Sequence, residues 1–487
     1  MAELDAVVVG AGPNGLAAAV TLARAGLLVR VYEGESTIGG GARTAELTLP
    51  GFLHDVCSAV HPMALASAFF REFQLERRIE LRQPEASFGH PLDGGRSGIA
   101  YPSLDRTVSE LGVDGAAYDR IMRPLVDHTD AVASLTGHQL LRVPEHPVAA
   151  LHFALMLAEQ GTAAWNSRFD DDLAPAMITG VGAHAILPMP SLATAGVALT
   201  LGSFAHARGW PIPVGGSQVI VDALAAEIIA CGGEIVTDAP ITSLDELPSA
   251  TATLLDVTPR ALVALAGDRL PRAYRRRLEA FRYGNAVAKV DFALSEPVPW
   301  TDARLASAGT VHVGGTRAEI AHAENTVAAG RHSDAPYVLA SQPTVVDPSR
   351  APDGRHVLWA YTHVPRGSRI DQTEVVTRAI ERFAPGFRDV VLATASRTAI
   401  EVEAHNPNYV LGDIASGTPD LAQLLRRPVL STDPWRTPLA GVYLAGASTP
   451  PGPGVTGLPG WFAALSALRH EFGTRIRPDL SWRPPAE

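Results

Sequence analysis

The chain opens on a continuous apolar run, Ala6 to Val9, that stops at Gly10. Glycines at 12 and 15 follow, then an Ala-rich stretch to Gly26, then the segment Leu28-Val-Arg-Val-Tyr-Glu33. A β-branched run, a glycine turn, an apolar stretch of helical composition and a second β-branched run predict strand, tight turn, helix and strand. The same alternation returns twice. Between Ile212 and Val257, Gly215-Gly216-Ser217-Gln218 precede a helical pattern carrying Val219, Leu224 and Ile228. Gly232-Gly233-Glu-Ile-Val-Thr and Thr253-Leu-Leu-Asp-Val-Thr-Pro259 then read as strands. Near the end, Gly441-Val-Tyr-Leu-Ala-Gly446 reads as a short buried strand, with an Ala/Leu helix after it to about His470. Elsewhere the period changes. Helical patterns dominate residues 66–210, as from Ala149 to Gln160, whereas Ala286–Leu294, Tyr337–Gln342 and His356–Thr362 predict strands. At 487 residues, two domains are expected. They are interleaved: one from 1–65, 211–274 and 401–487, the other from 66–210 and 275–400.

The opening unit is a dinucleotide fingerprint with its context intact, Gly10-Ala-Gly12-Pro13-Asn14-Gly15 between strand and helix. Gly10 permits the turn. Gly12 lets backbone N–H groups approach a pyrophosphate at the positive helix end, and Gly15 lets helix and sheet pack closely. Glu33 ends the second strand 18 residues after Gly15, where its carboxylate can accept bonds from ribose hydroxyls and would repel a 2′-phosphate.

The segment after Glu33 selects the dinucleotide. Thr37-Ile-Gly39-Gly40-Gly41-Ala-Arg43-Thr44 is a second glycine turn. It resembles the Gly-Gly motif of FAD enzymes of the amine oxidase and phytoene desaturase superfamily. The closing run Gly446-Ala447-Ser448 and Pro450-Pro-Gly-Pro-Gly454-Val455-Thr-Gly457-Leu-Pro-Gly460-Trp461 closely resembles phytoene dehydrogenase-related proteins. Pro213 to Gln218 and Asn406 to Asp413 extend the likeness across most of the chain. The resemblance implies an α/β fold in which a Rossmann-type FAD-binding domain interleaves with a mixed α+β substrate domain. It implies FAD, with Gly40, Gly41, Arg43 and Thr44 along the pyrophosphate and ribityl chain; with no obvious attachment residue in the sequence, the FAD is expected to be non-covalent. Gly446, Ala447, Gly454, Val455 and Gly457 are implied at the flavin, where a helix N-terminus stabilises the reduced ring. Carotene desaturases and monoamine oxidases usually carry basic residues where Thr37 and Gly41 stand; Arg43 is placed to supply the missing contact. The departure favours the branch that includes pyridine nucleotide-disulfide oxidoreductase domain-containing proteins.

Two cysteines, Cys57 and Cys231, form no CxxC pair, so dithiol chemistry is not expected, and no metal-ligand cluster is visible. A net charge of −11 argues against a nucleic-acid partner. The apolar N-terminus begins with Glu3 and Asp5, unlike a signal peptide, and no run of about 20 strongly apolar residues occurs. The expectation is a cytoplasmic protein, with peripheral membrane contact left open and oligomeric state unread. Gly180-Val-Gly182-Ala-His-Ala185 matches a second dinucleotide motif by letter only, since neither a β-branched strand nor a spaced acid frames it. Without a nicotinamide site, a small organic substrate must reduce the flavin, and oxygen, a quinone or another acceptor must reoxidise it.

The chain has a single lysine, Lys289, on the apolar strand Ala286–Leu294, where alternation points it inward. The resemblance makes it a candidate to hold a water near flavin N5. His61, His363 and Tyr409 are further candidates. Cys57 is a less suitable attachment point for covalent flavin. The expected activity is removal of two hydrogens from an apolar organic substrate, with hydride transfer to flavin N5. Amine or amino-acid oxidation, redox-neutral isomerisation of a polyene and a non-enzymatic assembly role are the alternatives.

Overall fold

The computed structural model describes residues 4–140 and 142–483. Its first sheet has five parallel strands, in the order Val442–Leu444, Ala250–Leu255, Leu4–Val9, Val29–Tyr32 and Glu234–Val236. Alternation along Leu4–Val9 sends Ala6 and Val8 to one face and Val7 and Val9 to the other, and both faces are buried. On the first face lie the helices Pro13–Arg24, Gln218–Ala230 and Leu458–Glu471; on the second, Pro259–Ala266 packs Leu262 and Leu265 against the strands. Helix Pro13–Arg24 begins without a side-chain cap: Gly12 is its N-cap and Pro13 stands in its first turn. Proline there has no N–H to lose, and its fixed φ suits the helix start. Gly15 is obligatory by contact, since a Cβ on it would lie 2.0 Å from the Gly10 carbonyl oxygen.

The second sheet has seven strands, in the order Val391–Arg397, Ala286–Leu294, His356–Val364, Val338–Ser341, Ala308–Val313, Ala86–Leu92 and Arg96–Ala100. All neighbours are antiparallel except the parallel pair of Ala308–Val313 and Ala86–Leu92. Helices Gly115–Asp127, Pro147–Gln160, Leu173–Gly182 and Leu192–Ala207 bundle beside it around Met122, Phe153, Leu199 and Phe204. Mixed sheet, helical layer and parallel nucleotide-type sheet together are the interleaved α/β and α+β architecture that the sequence pattern implies. The expected strand Tyr337–Gln342 is trimmed to Val338–Ser341, and His356–Thr362 extends to Val364. The motif-like Gly180 to Ala185 lies at the end of helix Leu173–Gly182 and in the single turn after it, not after a strand. Among the described residues no helix is long and apolar enough to cross a membrane.

Candidate functional site

The order of the parallel sheet reverses beside Leu4–Val9, where chain connections depart to opposite sides. The crevice at the carboxyl ends of Leu4–Val9 and Ala250–Leu255 is where such sheets take ligands. A cavity of about 1200 Å³ opens there and runs past the second sheet into the helical layer. Ligand sites usually span about 300–1,000 Å³, so this one has room for a dinucleotide together with a second molecule.

At the sheet end, Gly10, Gly12, Pro13 and Asn14 form one wall of the cavity. Glu33 stands beside them; its carboxylate accepts hydrogen bonds from the N–H of Ala11 (2.7 Å) and of Glu35 (3.0 Å). Gly40, Gly41 and Arg43 form a second wall, from a single helical turn over Gly40–Ala42. Arg43 is almost buried and held in place: it donates to the Gly40 carbonyl (3.1 Å) and the His405 carbonyl (3.2 Å), and its Nη2 lies 3.0 Å from His405 Nε2. Gly446, Ala447, Gly454 and Val455 complete this end. Gly15 and Gly457 lie behind the wall, and the Thr44 hydroxyl donates to Asp55 (2.8 Å), away from the opening.

A dinucleotide fits these residues. The side-chain amide of Asn14, a donor and an acceptor, lines the cavity at the glycine turn, and its buried Oδ1 has no partner among the described residues. The N-cap of helix Pro13–Arg24 is Gly12, which has no side chain to cap it, and the helix end opens on the crevice with Asp256 bound to its Gly15 N–H. Glycine at 41 has a local cause: a Cβ there would lie 2.0 Å from the Tyr409 hydroxyl, which occupies the space a side chain at 41 would need.

Asp256 was not among the residues singled out from sequence. It directly follows strand Ala250–Leu255, accepts the Gly15 N–H (2.9 Å) and lines the cavity between Gly12 and Gly446. Burial pushes its carboxyl up to about 7, opposed by the Gly15 bond and reinforced by the charge of Glu33. Its position was readable: an acid at the carboxyl end of the strand that pairs with the fingerprint strand.

The four candidate catalytic residues fall in different places. Tyr409 lines the cavity, and burial raises its hydroxyl above the ordinary tyrosine range. Lys289 lines a separate pocket of about 20 Å³, whose walls at Cys57, Trp359, Tyr361, His405 and Tyr409 also face the large cavity. That volume suits one water. The Lys289 ammonium pairs with Asp291, two residues along the same strand, and both are buried. The structure does not bring the two histidines to the cavity. His61 Nε2 bonds Ser217 Oγ (2.8 Å) in the interior, and burial brings its pKa down to about 4. His363 Nδ1 bonds Glu324 (2.7 Å), also inside. Cys57 stands at the junction of the two cavities, where burial raises its thiol above the usual value.

The far compartment of the cavity is apolar, with Phe153, Leu157, Ile186, Leu192, Val197 and Leu201 among its walls. Among the described lining residues the carboxylates are Glu33, Glu35 and Asp256, all at the nucleotide end.

Residues 14–457 match the sequence model of a family described as flavin containing amine oxidoreductase. The chain is 26% identical to the mouse pyridine nucleotide-disulfide oxidoreductase domain-containing protein 2, over 96% of this chain and 94% of the relative. It is 26% identical to a phytoene dehydrogenase of Streptomyces griseus, over 92% of each. Among solved structures, wild-type putrescine oxidase bound to putrescine superposes with a TM-score of 0.60 at 19% identity, covering 96% of this chain and 99% of that one.

Proposed function

From the premise that this chain belongs to the flavin-containing amine oxidoreductase family, and so is an FAD-dependent oxidoreductase, we propose that it dehydrogenates an apolar organic substrate. The observation that carries this reading is the division of the cavity: every lining carboxylate among the described residues stands at the nucleotide end, and the other end is walled by hydrocarbon. An ammonium buried there would have no counter-charge, a costly state, whereas an apolar chain gains from leaving water.

Residues 1–65, 211–274 and 401–487 would form the FAD-binding unit, and 66–210 with 275–400 the substrate unit. Glu33 would accept the ribose hydroxyls. The backbone N–H groups of Gly12 and Asn14, together with Arg43, would hold the pyrophosphate. Gly446, Ala447, Gly454 and Val455 would lie along the flavin. Bound there, FAD supplies a two-electron acceptor. Lys289 would hold a water in the small pocket and pass a proton from it toward the large cavity past Tyr409 and Cys57. The raised thiol of Cys57 keeps it protonated and a poor nucleophile, which favours non-covalent FAD. Oxygen or a quinone would accept the electrons. The outer face of helix Pro147–Gln160 exposes Val148, Leu151 and Leu155, while its inner Phe153 and Leu157 wall the cavity. This supports substrate entry from a lipid surface.

The test is anaerobic bleaching of the flavin by a panel of polyenes, acyl compounds and amines. Bleaching by apolar members supports the reading; bleaching by amines alone overturns it. Turnover of a polyene isomer only after prior reduction selects isomerisation, and silence throughout selects a non-enzymatic role.

A further inference from the structure

On the wall of the apolar compartment His184 makes a polar contact with a fully buried partner. His184 follows helix Leu173–Gly182 in the turn Ala183–Ala185 and lines the cavity beside Ile186. Its Nε2 lies 3.0 Å from Nε2 of His312, whose ring is fully buried on strand Ala308–Val313 between Phe88 and Tyr337. The other His184 nitrogen, Nδ1, has no partner among the described residues.

The contact dictates which protons are present. Two ring nitrogens at hydrogen-bond distance need one N–H between them, and a neutral imidazole carries only one. If His184 Nε2 donated, His312 would carry its proton on Nδ1, which is buried without a partner. If His312 Nε2 donates, that buried Nδ1 is a bare acceptor. Orphaned buried donors are the rarer and costlier condition, so the second arrangement holds. His184 then accepts at Nε2 and must carry its own proton on Nδ1. Burial keeps both rings neutral: it brings His184 down to about 3, with the charge of His363 adding to the effect, and holds His312 well below the ordinary histidine value.

The backbone beside the ring is strained. Ile186, two residues on, sits at φ 54°, in the left-handed region that a β-branched side chain strongly disfavours. Strain of this kind persists where surrounding structure over-determines it, and it clusters at ligand sites. Three residues further on, Asn325 brackets Met189, donating to its carbonyl (2.8 Å) and accepting its N–H (3.0 Å).

We propose that His184, oriented by His312, presents a neutral hydrogen-bond donor to the substrate compartment, and that the substrate is an apolar molecule bearing an oxygen acceptor such as a carbonyl. This rests on the apolar-substrate reading above. His184 is a positioning residue for the substrate's oxygen.

The test titrates FAD-loaded protein with 2-undecanone, undecane and undecylamine, following the flavin visible spectrum. The ketone should bind about 3–10-fold more tightly than the alkane, the scale of one net hydrogen bond. H184F should abolish that preference while leaving FAD content unchanged. H184N, whose amide N–H can take the place of Nδ1–H, should restore part of it. Equal binding of ketone and alkane by the native protein overturns the donor assignment and leaves the apolar-substrate reading standing, as does a preference that survives H184F. The comparison of ligands on the native protein decides the matter even if the variants fail to fold. Tightest binding by the amine, or binding by none of the three, overturns both readings.

Discussion

Replacing Lys289 with Met should destabilise the protein before it reveals anything about catalysis. The two side chains are similar in length, and on sequence grounds the apolar strand tolerates the change. The structure shows what is left behind. Lys289 and Asp291 share one face of the strand, with side chains 5% and 4% exposed. Beyond the ammonium, the contact Asp291 makes among the described residues is a looser one, 3.4 Å from its second oxygen to His54 Nδ1. Burial alone would raise Asp291; the charge of Lys289, with the hydrogen bond and charge of His54, outweighs it and holds the carboxyl below its ordinary range. Burial is likewise the main influence on Lys289, bringing it below the ordinary lysine value against the pull of Asp291. Removing one member of a buried pair costs about 3–5 kcal/mol, because the survivor is an uncompensated charge.

The informative experiment is therefore a cycle of K289M, D291N and the double variant. The thermal midpoint should fall sharply in each single variant and recover most of the loss in the double, which buries no unpaired charge. Rates are then measured on the stable double variant: reduction by a substrate found in the panel, and reoxidation by oxygen after dithionite reduction. Loss of a positioned proton-transfer group should slow one half-reaction by about 10²-fold. A K289M variant as stable as the native protein would refute the buried-pair argument. Native rates in both half-reactions of the double variant would remove Lys289 from the chemistry and leave it a structural cation.

Glu33→Ala should weaken FAD retention at least about tenfold, since charge-assisted bonds to the ribose are worth about 1.5–3 kcal/mol; equilibrium dialysis reads it, and unchanged affinity would displace Glu33 from the ribose. Asp256 titrates near 7 in the folded protein, above its value in the unfolded chain, so its contribution is fully present below about pH 4 and is lost as pH rises toward 7. Asp256→Asn, which can still accept the Gly15 N–H, should therefore raise the apoprotein's melting temperature at pH 8 and change it little at pH 4; an equal effect at both would contradict the burial argument. NADH and NADPH should reduce the flavin slowly or not at all, and rapid stoichiometric bleaching by either would reveal a second nucleotide site. Leu151→Asp with Leu155→Asp should reduce co-sedimentation with phosphatidylcholine vesicles without loss of FAD, and unchanged sedimentation would remove the lipid-surface reading.

The nucleotide end was legible because its chemistry is written in short-range geometry. Gly10 to Gly15 must turn and pack within six residues, and Glu33 must end the next strand, so spacing alone carries the constraint. Lys289 was legible as inward-facing through the period of two. That same period places Asp291 on the same face, a signal that was available and changes what a lysine substitution means. His61 and His363 were misleading for a common reason. A histidine at the end of a strand or turn reads the same whether it faces a cavity or finds a partner inside, and Ser217 and Glu324 lie 156 and 39 residues away.

The apolar end of the cavity follows the opposite rule, and for a physical reason. An apolar compartment needs no particular residue, only volume and hydrocarbon, so Phe153, Leu157 and Leu201 look like any helix core until the cavity beside them is seen. The His184–His312 contact on its wall depends on a pairing across 128 residues, between a turn that mimics a nucleotide motif in letters and a strand without recognisable pattern. The strained φ at Ile186 carries no composition signal at all. Cofactor chemistry is shared and local, so it leaves motifs; substrate recognition is assembled from distant segments, so it leaves geometry. That is why FAD could be read from the first forty-odd residues, whereas the donor at His184 required knowing which of its two nitrogens was already engaged.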